Sequence, residues 1–322
     1  MSDGVLLDIK ELKTYFYTFD GIVKAIDGVD LTVYEDDTLG IVGETGCGKS
    51  ITSLSVLNLV PPPGRIEAGE IRFEGQNLLT KSEKEMRRIR GGRISMIFQN
   101  PMSSLNPVFT IGDQIAAVLR VHQNLSKADA RRRAVDMFRT VRLPDAERMP
   151  DKYPHELSGG MLQRVMIGMA LSCRPRLLIA DEPTTALDVT IQAQILRLMR
   201  DLKREMQTSI VLITHDLGVV AQVCRRVAVM YAGVIVEGGD LSAVFKSPKH
   251  PYTAGLLRTI PRIGHKREWL DTIEGRVPNL IYPPPGCRFH PRCPQATERC
   301  RQERPAMIEV GAGHRVACHL YT

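Results

Sequence analysis

Residues 43–50 read GETGCGKS, a spacing of glycines, lysine and serine suited to wrapping a chain of phosphates. Gly43, Gly46 and Gly48 let successive backbone N–H groups curl around phosphate oxygens without Cβ interference. Glu44, Thr45 and Cys47 fill the variable slots, with Cys47 a spacer rather than a redox centre. Lys49 would reach the β- and γ-phosphates of a nucleoside triphosphate, and Ser50 would ligate Mg²⁺. The apolar run TLGIVG leads into the loop and a helix leaves it, so the helix dipole acts on the same anion.

Acid–base chemistry has its own candidates. Asp181 and Glu182 end the apolar run of RLLIADEP, at the carboxyl end of a strand, where open α/β sheets place their ligands. Asp181 would hold the Mg²⁺ shell, and Glu182 would accept a proton from an attacking water. Gln99 follows the strand-like ISMIF, and His215 follows IVLIT. LSGGMLQRV places Ser158, Gly159 and Gly160 at the start of an apolar-faced helix, a second anion-binding N-terminus. One nucleotide needs only one phosphate loop, so this second device requires an explanation.

Alternating elements must position these groups. LLDIKELKTYF and VKAIDGVDLTVY read as strands separated by the turn TFDG. The helix from Lys49 through about Leu59 should stop at PPPG, and GEIRFEGQNL reads as strand–turn–strand. Residues from about 102 to 157 become helical, with IGDQIAAVLRVHQ and KADARRRAVDMFRTV apolar at three-and-four spacing. The buried-strand runs of RLLIADEP and TSIVLITHD flank the amphipathic helix TIQAQILRLMRDLKREM. Such alternation implies an α/β fold with a parallel sheet covered on both faces. Past residue 240, prolines and cysteines accumulate, which reads as an appended small domain.

The 322 residues suffice for two or three structural units. No apolar stretch approaches bilayer-crossing length, and MSDGVLLDIKELK lacks the apolar block of a signal peptide, so a cytosolic chain is expected. The net charge of +7 admits an anionic partner. Its basic clusters KSEKEMRRIRGGR and ARRRAV lie in helix-like segments mixed with acids, and a single Trp with eight Phe leaves little for base stacking.

Cys287, Cys293, Cys300 and Cys318 share a Pro- and Arg-rich tail with spacings C-x5-C, C-x6-C and C-x17-C. A cytosolic setting disfavours stable disulfides. Structural zinc prefers pairs such as C-x2–4-C, although His290, His314 and His319 could substitute as ligands. Four cysteines, one followed directly by proline, also suit a [4Fe–4S] cluster. Arg288, Arg292, Arg299, Arg301 and Arg304 could offset thiolate charge in either case.

As an ordered set, over at least residues 5–240, the motifs resemble the ATP-binding subunits of ABC transporters. The resemblance implies an α/β P-loop NTPase core at 1–100 and 166–240, a helical signature subdomain at 101–165, and a small cysteine-containing C-terminal domain at 241–322. It makes Gly43–Ser50 the Walker A loop, with Ile51 completing the nucleotide-binding run, Leu177–Glu182 the Walker B strand, and Gln99 the Q-loop. Leu157–Met161 becomes the signature motif, with Met161 where many members have Gln, Asp188 the D-loop, and His215 the switch histidine at the γ-phosphate. Phe16, with Tyr15 and Tyr17 as close competitors, would stack on adenine. In this family the signature motif covers ATP held by a facing subunit, which accounts for two phosphate-binding helices in one chain. ABC-type ATPases of DNA repair and translation usually carry two cassettes, a long coiled coil or a CxxC-type insertion, so no nucleic-acid partner is expected.

IFQNPMSSLNP, DEPTTALDVTIQAQI, SPKHPYTAGLL and the cysteine-bearing extension resemble the dipeptide/oligopeptide branch of ABC importers. That implies ATP and Mg²⁺ as ligands, and a [4Fe–4S] cluster on the four cysteines with zinc as the alternative. It also implies a second homologous ATPase subunit, two permease subunits and an extracytoplasmic peptide-binding protein. The place implied is peripheral, at the cytoplasmic face of the cell membrane. Dipeptides or oligopeptides are the expected cargo, with nickel or oligosaccharides as other solutes.

Overall fold

A computed structural model describes residues 4–185, 187–259 and 272–322, with only the backbone at Met102. Part of the expected C-terminal extension, residues 260–271, lies outside the described residues. The chain forms two units, residues 1–80 with 212–322, and residues 81–211. The first stretch carries β1 (Val5–Thr18), β2 (Gly21–Tyr34), β3 (Thr38–Val42), α1 (Lys49–Val56), β4 (Gly64–Phe73) and β5 (Gln76–Asn77). Then follow α2 (Glu83–Ile89), β6 (Ile94–Ile97), α3 (Pro101–Ser104), α4 (Ile111–Gln123), α5 (Lys127–Thr140), α6 (Gly159–Leu171), β7 (Leu177–Asp181) and α7 (Val189–Met206). After β8 (Ser209–Thr214) come α8 (Leu217–Val223), β9 (Arg226–Tyr231), β10 (Val234–Asp240), α9 (Leu241–Lys246) and α10 (Pro251–Arg258). The tail adds α11 (Glu298–Gln302) and the hairpin of β11 (Ile308–Gly311) and β12 (His314–Val316).

In the first unit β2, β1, β4 and β5 make an antiparallel sheet in that order. A bulge interrupts β1 at Glu11, whose φ is +47°. Gly69 passes it with φ +102°, and a Cβ there would lie 2.6 Å from the Leu12 Cα, so the crossing requires glycine. The other sheet of this unit runs β11-β12-β10-β9-β3-β8. The fully buried β3 pairs in parallel with β9, as its unbroken apolar run anticipates. The expectation of a parallel sheet needs correction at this edge, because β10 is antiparallel to β9 and to β12. Ala232 and Gly233, the only residues between β9 and β10, both have positive φ, and such a two-residue turn makes a hairpin. Helix α1 also ends at Val56, three residues before the expected stop, since Asn58 turns into a left-handed conformation with φ +49°.

In the second unit β6 and β7 pair in parallel, from Ile94↔Leu177 to Ile97↔Ala180. Helices α4 and α5 bury one face each, Ile111, Ile115 and Leu119 on α4 and Ala130, Ala134 and Phe138 on α5. Thr110 and Ser126 cap them by accepting from the Asp113 and Asp129 backbone N–H groups.

Candidate active site

In the first unit the chain leaves β3 at Val42, turns through the glycine loop and enters α1 at Lys49. Gly46 and Gly48 have φ +80° and +109°, and a Cβ on Gly48 would lie 2.6 Å from the Ala25 carbonyl oxygen. The loop shape is therefore reserved for glycine. No side chain caps α1, because its N-cap is Gly48, so the first-turn N–H groups are presented to an anion rather than to the protein's own oxygens. The Lys49 ammonium is buried and donates to the carbonyl oxygens of Gly43 at 2.7 Å and Glu44 at 3.0 Å. Burial raises the Cys47 thiol pKa, with Lys49 only partly opposing it, consistent with a neutral spacer. Thr45 and Gly46 are exposed at the loop tip, while Ser50 and Ile51 are half-buried.

Phe16 is half-buried on β1, and a Cβ on Gly64 would lie 2.6 Å from its ring. Its two competitors make contacts of their own. The Tyr15 hydroxyl donates to Asp27 at 2.7 Å, and burial together with that bond pushes its pKa up to about 12. Tyr17 lies under the Arg65 guanidinium, 5.4 Å from the ring centre. His215 is exposed directly after β8, next to Asp216, which caps α8.

The second unit assembles a different group. Extending the β6–β7 register two residues past Ile97↔Ala180 sets Gln99 level with Glu182. The Gln99 side-chain amide donates to Glu182 Oε2 at 2.9 Å, and the Thr185 hydroxyl donates to the same oxygen at 2.9 Å. Glu182 itself has φ +47°, a left-handed conformation that turns its backbone off the strand end. Asp181 is buried as the last residue of β7. Thr185 was not among the expected site residues; its place three positions after Glu182 in a turn was the only signal.

Ser158 caps α6 by accepting from the Met161 N–H at 3.4 Å, and Ser158 and Gly159 are exposed. Gly160 has a packing duty as well, because a Cβ there would lie 2.9 Å from Ile191 Cγ2 on α7. Asp188 is the N-cap of α7, accepting from the Ile191 N–H at 2.9 Å.

Residues 26–185 match the family model described as ABC transporter, and residues 236–300 the one described as Oligopeptide/dipeptide transporter, C-terminal region. The oligopeptide transport ATP-binding protein AppD of Bacillus subtilis is 51% identical over 99% of this chain and 97% of its own. The dipeptide transport ATP-binding protein DppD of Escherichia coli is 48% identical over 98% of this chain and 96% of its own. The chain belongs to the peptide-transport branch of the ABC transporter ATP-binding proteins. Solved structures agree. The dimeric ATP-binding cassette MJ0796, bound to ADP and Pi, superposes with a TM-score of 0.66 at 26% identity, over 73% of this chain and 99% of that one. CbiO1 of Clostridium perfringens, part of the cbiONQ transporter complex, gives 0.65 at 26% identity, over 76% and 92%. The fold is thus that of an α/β ABC ATPase, and the activity is ATP hydrolysis.

The tail of this ABC ATP-binding protein keeps its four cysteines together without bonding them. Cys300 and Cys318 are buried, Cys287 and Cys293 half-buried, and the Cys287 N–H donates to the Cys300 carbonyl at 2.8 Å. Burial raises the Cys287 thiol pKa to about 11 and those of Cys293 and Cys318 in the same direction, and neighbouring thiolates add to each. Even so, no group of three or more His, Cys, Asp or Glu side chains among the described residues is placed to hold a metal ion.

The histidines and arginines of this tail have protein partners. The three histidines spend ring nitrogens on protein oxygens: His290 on the Cys287 carbonyl, His314 on Glu237, and His319 on the Glu303 carbonyl and the Thr322 hydroxyl. The five arginines pair with carboxylates: Arg288 and Arg304 with Asp27, Arg292 with Glu44, Arg299 with Glu303, and Arg301 with Glu298.

Proposed function

We propose that this ABC ATPase powers the uptake of dipeptides or longer peptides from the cytoplasmic face of a membrane. It would work beside a second homologous ATPase subunit, under two permease subunits fed by an extracytoplasmic binding protein. The near full-length similarity to proteins named for oligopeptide and dipeptide transport carries this reading. No helix among the described residues is long and apolar enough to cross a membrane. In the segment Asn100–Gln114, Val108 and Phe109 are 71% and 54% exposed, an apolar surface that we assign to permease contact.

In the proposed cycle, Lys49 exchanges its loop carbonyls for β- and γ-phosphate oxygens, and Phe16 stacks on adenine. Ser50, Gln99 and Asp181 would hold Mg²⁺, which when bound neutralises charge on the phosphoryl group. Glu182, aimed by Gln99 and Thr185, accepts the proton of the attacking water. His215 donates to the γ-phosphate, while Ser158, Gly159 and Gly160, with Asp188, close over ATP on the facing subunit. Reconstitution with permeases and a peptide-loaded binding protein should stimulate ATP turnover and drive labelled peptide into vesicles. Stimulation by a nickel or oligosaccharide system instead would reassign the cargo, and turnover driven by DNA or RNA without permeases would end the transport reading.

We also propose that Cys287, Cys293, Cys300 and Cys318 hold a [4Fe–4S] cluster. Zinc on the same four thiols is the alternative. The gathering of four cysteines in one short tail, one of them followed directly by proline, supports the cluster. Bound, it would cross-link the tail segments. Anaerobic protein should contain iron and acid-labile sulfide with broad visible absorbance; a colourless preparation with stoichiometric zinc would overturn this.

A further inference from the structure

Glu44 places an acidic side chain inside a loop built to receive phosphates, and an uncompensated carboxylate there opposes nucleotide binding. The structure engages each of its polar groups. Its N–H donates to the Tyr252 hydroxyl at 2.9 Å, and its carbonyl accepts from Lys49 at 3.0 Å and from the Cys47 N–H at 3.3 Å. Its carboxylate accepts from Arg292 Nη1 at 3.1 and 3.0 Å.

Arg292 is fixed from the other side. Its Nε donates to the Glu274 carbonyl at 2.8 Å, and its Nη2 to the Ile273 carbonyl at 3.0 Å. The guanidinium lies 5.8 Å from the Tyr231 ring centre, and the side chain is only 6% exposed. Tyr231, Tyr252 and Phe289 back it as one aromatic cluster, with ring centres 4.6–5.4 Å apart. Phe289 lies three residues before Arg292, and Cys293 immediately follows it. The cysteine-bearing segment thus reaches the phosphate loop through one rigid, buried, charged fork.

We propose that Arg292 is a positioning residue for nucleotide binding, fixing Glu44 and cancelling its charge so that the Walker A loop accepts ATP. Binding of ATP by this ABC protein thereby depends on the fold of its cysteine tail. The proposal rests on the reading of Gly43–Ser50 as the ATP site, and the test separates the two. MgATP affinity, KM and kcat are measured on the full chain with its partner subunits, alongside thermal melting, for R292M, E44Q, their double mutant and K49A. R292M should weaken MgATP binding about tenfold and raise KM in step, with kcat at saturation changed by less than about twofold. Adding E44Q to R292M should restore most of the affinity that R292M alone loses.

Wild-type affinity in R292M, or a double mutant as weak as R292M, overturns the proposal, since a purely structural arginine gives no rescue by neutralising Glu44. If K49A binds MgATP undiminished, the reading of the loop itself fails. If K49A is defective and R292M is not, only the role of Arg292 fails. Should R292M not fold, Arg292→Lys keeps the charge without the fork, and the same rescue by E44Q is expected from a loss of about threefold.

Discussion

Glu182→Gln is expected to keep MgATP binding and lose ATP turnover by about 10²–10⁴-fold, the usual share of a general base. The substitution changes little else. A glutamine can still accept from Gln99 and Thr185 through its carbonyl oxygen, so the two 2.9 Å contacts that orient the side chain have a counterpart. What disappears is the capacity to take the proton of the attacking water. ATP is then bound and not consumed, and a closed dimer with the partner subunit should accumulate, readable as a stable ATP-dependent species in light scattering. Turnover within tenfold of wild type in the assembled transporter would remove Glu182 from the role of base.

Asp27→Ala carries the largest expected effect on stability. Asp27 accepts from the Tyr15 hydroxyl at 2.7 Å and from Arg288 at 2.5 Å, while Arg304 donates to its carbonyl at 2.6 Å. Burial pushes the Asp27 carboxyl pKa up, but Tyr15, Arg288 and Arg304 together outweigh it and hold the group below the ordinary carboxylate range. Arg288 is 5% exposed and also donates to the Ala232 carbonyl, so removing Asp27 strands a buried cation. Breaking such a pair from one side costs about 3–5 kcal/mol, and the denaturation midpoint should fall accordingly. Because the native pKa lies below the unfolded one, this contribution is full above the ordinary carboxylate pKa and is lost as acid passes the native value. Wild-type Asp27 should therefore show an acid-sensitive step that Asp27→Ala lacks. A loss under 1 kcal/mol would mean that Arg288 finds other compensation.

Both experiments bear on what could be read from the sequence. Eight consecutive residues, 43–50, hold the phosphate loop, and the strand before and the helix after it are local features, so the loop was legible from one stretch of chain. Gln99 and Glu182 were recognised singly, but their contact follows from the pairing of β6 with β7, which no periodicity announces. The partners of the tail arginines were hidden for a related reason. Arg292 meets Glu44 and Arg288 meets Asp27 across most of the chain, and an arginine near cysteines looks the same whether its partner is sulfur or a distant carboxylate. The edge strand β10 was missed because positive φ at Ala232, which a non-glycine residue seldom adopts, made its hairpin with β9.

That edge has a consequence for synthesis. Strand β10 is covered on its outer side by β12, through Glu237↔Val316 and Gly238↔Arg315. On a growing chain the residues of β10 are made long before those of β12, an interval on the order of 10 s at ordinary elongation rates. Throughout it, β10 presents unpaired N–H and C=O groups to any strand nearby, including those of other nascent copies. Chains interrupted between these two strands should therefore be the aggregating fraction, and chaperone demand should peak in that window.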